Sequence, residues 1–414
     1  MSRAFHLRAF ILVLALPLAA HAEDAVPAPY QVSGYVQGQY ESHQDSQNQL
    51  RQDGTLLNQN RFVLRRARVT VERAWDYSEL RLQVDGNTVN GPTFGFRTAE
   101  ASLFYRGDAA PGAPPWIRAT IGLFDTPFGY ELVESPRDRH FMERTIASRA
   151  LWPGEPDVGA RLSGGVKFFR YSFAVLNGEP LDEKTGYPGR SPHSQKDIVA
   201  RLGFDDKPLS TLRLSGGVSV MRGQGFHAGK SATKNGLAWN DANEDGQLQP
   251  NELSTVPGVS ATPSQLFDRW AVGADLQIRI DTPIGETRVY GELVVAQNLD
   301  RGLFVADPVQ SSIDVRERGY NLAVSQEITP YGLVGFRFES YDPNADAQDK
   351  QQGKLVPFTQ RLRAYSPIVG LVLPRRAKLL FQADFIKDFL AKDRLGVPTD
   401  LHNNQATLRL QVDL

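Results

Sequence analysis

The sequence predicts an all-β fold, a transmembrane antiparallel β-barrel of about sixteen strands with long extracellular loops and short periplasmic turns. Three observations carry this. Segments of roughly ten residues alternate apolar and polar from Tyr30 to the final Leu414. The connections between them alternate long and short. No stretch after the N-terminus approaches the ~20 apolar residues of a membrane helix, so in lipid only a closed barrel would satisfy every backbone group.

Composition agrees. Among 414 residues there are 36 glycines, 22 phenylalanines and 13 tyrosines, which suit strands and turns. Hydrophobic residues make up 41 % and recur along the whole chain, which excludes a disordered protein. A formal charge of −1 argues against a nucleic-acid binder. The lack of cysteine excludes a disulfide framework, a Cys-based zinc site and a thiol nucleophile.

Arg3 and Arg8 precede an apolar run from Ala9 to Ala20, and Ala20-His21-Ala22 has the small-x-small form of a cleavage site. Residues 1–22 therefore read as a signal peptide, and residues 23–414 as the exported barrel domain. An N-terminal core helix is the other reading.

The strands follow in order. They begin near Tyr30, Arg61, Tyr77, Thr98, Trp116, Val158, Arg170, Asp197, Thr211, Trp270, Thr287, Gly319, Gly332, Arg361, Ala377 and Asn404. One of the clearest sets Trp270, Val272, Ala274, Leu276, Ile278 and Ile280 against Ala271, Gly273, Asp275, Gln277 and Arg279. Long connections are expected after odd strands and short ones after even strands, such as Ala74-Trp75-Asp76 and Leu373-Pro374-Arg375-Arg376. With the N-terminus in the periplasm, every long connection lies outside. Two places fit less well. Pro367 sits mid-strand, where a bulge or break is expected. Arg65 lies on the opposite parity from Arg66 and Arg68.

Several motifs carry a resemblance: Arg65-Arg66-Ala67-Arg68, Thr120-Ile121-Gly122-Leu123-Phe124, Thr126-Pro127-Phe128-Gly129-Tyr130-Glu131, Phe141-Met142-Glu143-Arg144 and Val175-Leu176-Asn177-Gly178. Later echoes are Gly291-Glu292 and the run from Arg337 to Pro343. With these the chain resembles the phosphate-selective porin O and P family of outer-membrane porins. The resemblance covers most of the mature chain. It implies a homotrimeric sixteen-stranded channel in a Gram-negative outer membrane, with a third external loop folded inward and some members anion-selective. The terminal Leu414 departs from the phenylalanine that ends many such barrels.

The third connection, Asp125 to Asp157, carries Arg137, Arg139, His140, Arg144 and Arg149 beside Glu131, Glu134, Asp138, Glu143 and Glu155. It is a constriction of mixed charge. Arg81, Arg118, Arg201, Arg213, Arg279, Arg288 and Arg409 fall on the polar parity of the wall. Guanidinium forks match anionic oxygens and stay charged, and rings of them favour anions. Glu79, Asp85, Asp275, Glu292 and Asp413 share that parity, so charges paired across strands are the competing reading.

The fifth connection, Met221 to Asp268, contains a twelve-residue EF-hand-like pattern. Asp241, Asn243 and Asp245 take positions 1, 3 and 5, and Gly246 takes the turn. Gln247, Gln249 and Glu252 take 7, 9 and 12. Calcium is the expected ion, ordering the loop, although no helices flank it. An acidic solvated loop is the alternative.

The expected function is passive diffusion of small anionic or general small solutes across lipid, without catalysis or nucleic acid. The alternatives are a plugged structural or adhesive barrel, or a barrel hydrolase pairing His140 with Ser135 or Ser148.

Overall fold

The computed structural model describes residues 30–44, 60–109, 112–154, 156–178, 194–358, 360–373, 377–388, 391–392, 398–401 and 403–414. The expected signal peptide, Glu155 and residues 374–376 of one turn lie outside them.

The strands are β1 (Gln31–His43), β2 (Arg61–Ala74), β3 (Ser78–Asn87), β4 (Thr93–Tyr105), β5 (Ile117–Asp125), β6 (Pro156–Val166), β7 (Phe169–Leu176) and β8 (Asp197–Leu209). Then come β9 (Leu212–His227), β10 (Gly236–Trp239), β11 (Leu253–Val256), β12 (Gln265–Thr282), β13 (Gly285–Gln297), β14 (Arg316–Ile328) and β15 (Gly332–Asp342). The last are β16 (Gln348–Gln351), β17 (Lys354–Pro357), β18 (Leu362–Leu373), β19 (Ala377–Lys387), β20 (Ala391–Lys392), β21 (Pro398–Thr399) and β22 (Gln405–Asp413). Two short helices, α1 (Ile146–Leu151) and α2 (Pro308–Ser311), sit in connections.

Among the described residues, β1–β9, β12–β15, β18, β19 and β22 close into one barrel of sixteen strands. Each neighbouring pair is antiparallel, and β1 closes the ring by pairing with β22, Tyr35 opposite Asp413. The remaining six strands form three two-stranded hairpins in the long connections. No described helix is long and apolar enough to cross a membrane.

The barrel is apolar outside and polar inside. Along β12, Val272, Leu276 and Ile280 stand exposed, whereas Asp275 and Gln277 are only 8 % and 5 % exposed. Strands of a water-soluble protein bury the opposite set. Exposed Leu408, Leu410 and Val412 around buried Arg409 and Gln411 repeat the pattern on β22.

Two local irregularities have a common cause. On β1, Gln37 pairs with Arg66 but Gly38 pairs with Leu64, so Arg65 is the extra residue of a β-bulge. The bulge reverses the strand's parity, and Arg65 and Arg66 both turn inward. A second bulge makes Arg97 the extra residue between Phe96 and Thr98, and Arg97 and Thr98 are both buried. Pro367 makes no bulge. Its strand keeps register on both sides, and only the ladder to β19 lapses at residues 366 and 367, because proline lacks the donor.

The sorting of connections is less strict than expected. β4 begins at Thr93 rather than near Thr98, so the second outer connection shrinks to residues 88–92. The opposite end carries a longer, proline-bearing turn over residues 106–116. The third and fifth connections are residues 126–155 and 228–264, and the fifth is shorter than expected because β9 and β12 run further outward.

Candidate functional site: a lumen narrowed by the third loop

The third loop does not project from the barrel; most of its side chains are buried inside it. It leaves β5 through Thr126-Pro127-Phe128 and turns at Gly129, whose φ of +62° favours glycine. A Cβ there would lie 2.0 Å from the Glu292 carboxylate. That carboxylate accepts the N–H groups of Tyr130 and Glu131, each at 3.1 Å. One side of the loop is held by apolar packing. Phe128, Leu132, Leu151 and Trp152 join Val199, Met221, Leu299 and Tyr341 in one buried cluster. The Phe128 and Trp152 rings lie 4.5 Å apart. A second cluster sets Phe141 and Met142 against Leu333, Ile368 and Leu380.

The other side is held by charge. Glu143 meets Arg65 Nε at 2.9 Å, Arg66 Nη2 at 2.8 Å and Arg409 Nη2 at 2.5 Å. Burial alone would push this carboxyl up, but the three guanidiniums hold it well below the usual carboxylate range. The backbone is tied as well. Arg337 donates to the Glu143 carbonyl at 2.7 Å, Arg409 to that of Met142 at 2.6 Å, and Met142 N–H to Gln382 at 2.9 Å. Lys378 Nζ and Gln411 Nε2 both donate to the Arg137 carbonyl.

The loop arginines singled out from sequence therefore act mostly on the loop itself. Arg139 is buried and donates to the carbonyls of Glu131 and Glu134. Arg144 is buried and donates to Ser148 and to the Trp152 carbonyl, closing α1. Arg137 pairs with Asp413 at 2.9 Å. Arg149, in the last turn of α1, is the exposed one.

The wall arginines reach the lumen. Below the loop a cavity of about 430 Å³ is lined by Arg118, Arg161, Arg170 and Arg201. Each is ion-paired: Arg118 to Glu79 at 3.1 Å, Arg161 to Glu100 at 2.7 Å, Arg170 to Asp205 at 3.8 Å, and Arg201 to Asp275. In every pair the arginine is the more exposed partner, from 25 % against 20 % for Arg118 to 18 % against 0 % for Arg201. The guanidiniums line the cavity while their carboxylates stand back from it. Arg81 pairs with Glu72 and Arg213 with Asp205. Arg279 has no ion pair among the described residues. Sequence reasoning missed Arg65, Arg97, Arg161 and Arg170 as lumen residues, the first two because of the bulges.

His140 meets a serine, though neither Ser135 nor Ser148. Its Nδ1 lies 2.9 Å from Ser325 Oγ and its Nε2 lies 3.4 Å from Glu327. Ser325 is 4 % exposed and His140 6 %, so the trio locks loop to wall and leaves no approach for an ester. Burial is the main cause that pushes the imidazole below its ordinary value, and Glu327 offsets part of that.

The EF-hand-like segment links β10 and β11. Asp241 accepts the N–H groups of Asp245 and Gly246, Asp245 that of Gln247, and Glu252 those of Ala242 and the Trp239 indole. Asn243 and Gln249 donate to Asp245. Among the described residues no three acidic or histidine side chains converge as a group that could hold a metal.

No family model matches this sequence, and no curated protein matches it either. Solved structures do. The chain is similar to the outer membrane channel DcaP of Acinetobacter baumannii, with 10 % identity, a TM-score of 0.55, and 93 % of this chain and 97 % of that chain covered. It is similar to OprB of Pseudomonas putida at high pH, with 12 % identity, a TM-score of 0.57, and 93 % and 94 % covered. It is also similar to the trimer form of OmpT, an outer membrane protein of Vibrio cholerae, with 8 % identity, a TM-score of 0.51, and 93 % and 99 % covered. At such identities the likeness speaks for the fold, a porin-like barrel of sixteen strands.

Proposed function

We propose that this protein is a passive diffusion porin of a Gram-negative outer membrane, with an arginine-lined waist that favours anions. The supporting observation is the division of charge inside the barrel. One wall is filled by a firmly tied loop, and across the remaining space guanidiniums stand forward of their carboxylates. Such an arrangement attracts anions without trapping them, because each guanidinium already has a partner. The motifs that resemble those of the phosphate-selective family support the same reading, with inorganic phosphate among the small anions that pass. OmpT is described in a trimer form, and we extend that assembly to this chain.

Single-channel recording of residues 23–414 refolded into a planar bilayer tests the proposal. Under a potassium chloride gradient the reading requires open steps with a reversal potential on the chloride side. A potassium-side potential would overturn the anion preference. A folded barrel without steps would overturn the channel and favour a plugged scaffold.

The 241–252 segment belongs to the proposal as a calcium-ordered outer loop. Its oxygen donors suit a hard cation, and the affinity expected of an extracellular site is roughly 10⁻⁴–10⁻³ M. Calorimetry on the folded barrel checks this; equal heats for wild type, Asp241→Ala and Glu252→Ala would remove calcium from the account.

A further inference from the structure

The cavity below the third loop is not uniformly polar. Its arginines occupy the wall formed by β5–β8. Pro127 and Val133 of the third loop also line it, as do Pro114 and Pro115 of the long 106–116 turn. Val133 is 48 % exposed although it lies within the loop that fills the barrel. Pro114 enters the lumen, since a Cβ on Gly165 would lie 2.9 Å from its ring and 3.0 Å from Arg170. The turn is fixed there by the Gly165 N–H, which donates to the Pro115 carbonyl at 3.0 Å. Arg118 and Arg161 are themselves held against rings, over Phe104 at 5.5 Å and Phe124 at 4.6 Å.

A phosphate ion has acceptor oxygens on every side. Against Pro114, Pro127 and Val133 it would lose water and gain no donor. A carboxylate carrying an apolar body presents oxygens to the guanidiniums and hydrocarbon to the prolines and the valine. At about 430 Å³ the space falls in the range of pockets that hold small organic ligands. We propose that this chamber is a binding site for organic monocarboxylates with an apolar body, and that it ranks them above inorganic phosphate. The inference rests on the anion-channel reading above and narrows its solute class.

The test measures block of chloride current through the intact channel by acetate, hexanoate and inorganic phosphate at pH 7. Hexanoate is expected to half-block at a concentration about tenfold below acetate, the worth of roughly two buried methylenes, and also below phosphate. Val133→Asn is expected to shrink the ratio of acetate to hexanoate. Its exposure makes the substitution compatible with folding, which heat-modifiable gel mobility verifies. Equal block by acetate and hexanoate, or stronger block by phosphate, would overturn the apolar chamber while leaving the anion channel standing. A potassium-side reversal potential with no block by any anion would overturn both. An unchanged ratio in Val133→Asn would remove the third loop from the site.

Discussion

Glu143→Gln isolates the charge that ties the third loop to β2 and β22. The substitution keeps size and shape but leaves Arg65, Arg66 and Arg409 facing a neutral group. Arg66 and Arg409 are 7 % and 3 % exposed, so their charges lose compensation in a poorly solvated place. Removing one partner of a buried ion pair costs about 3–5 kcal/mol. Glu143 keeps 25 % of its side chain exposed, so the lower end applies, about 3 kcal/mol. That shifts the balance between docked and released loop by roughly a hundredfold. The backbone ties from Arg337 and Gln382 remain, so release is transient. Open-channel recording should show new current fluctuations, and the barrel should unfold at lower temperature. The sign with pH follows from the depressed carboxyl. Its stabilisation is full above the ordinary value of 4.5 and is lost only as pH falls through a value well below that. The difference between wild type and variant should therefore persist from pH 7 to pH 5 and close in strong acid. A quiet, equally stable variant at pH 7 would refute the clamp.

Three further outcomes are expected. The imidazole of His140 is pushed below its ordinary 6.5 by burial, so its stabilising contribution is full above pH 6.5 and fades as pH falls through the lowered value; melting at pH 7.5 and pH 5 should show a larger drop in wild type than in His140→Gln, and equal drops would count against it. Gly129→Ala must set a Cβ 2.0 Å from Glu292 at a positive φ, costing on the order of 1–3 kcal/mol, and should widen the spread of single-channel conductances; an unaltered distribution would mean the turn is not a hinge of the waist. Leu276→Arg places a charge on the exposed apolar face of β12 and should cost about 2–4 kcal/mol at the bilayer midplane; refolding yields into lipid vesicles equal to wild type would contradict a lipid-facing position.

The sequence by itself determined the wall. Alternation is local, with a period of two residues, so the faces of β3, β5, β9, β12 and β22 could be read from their own residues. The count of sixteen strands followed from the same signal, with most starts within a few residues. The exceptions have local causes. Thr93-Phe94-Gly95-Phe96 belongs to β4 ahead of a bulge at Arg97, and a bulge inverts the parity on which the reading depends. A hint of the interior was also present. Val199, Met221, Leu333, Ile368 and Leu380 are apolar residues on the inward parity, and they mark where the loop packs.

Tertiary structure alone decided which charges meet. Glu143 lies 266 residues from Arg409 and 78 from Arg65, and no periodicity relates positions so far apart. They come together because closure sets the last strand beside the first and because the loop folds inward between them. For the same reason Arg139 and Arg144, which look like filter residues in the sequence, hold the loop's own carbonyls, whereas Arg161 and Arg170 of the wall line the space that remains.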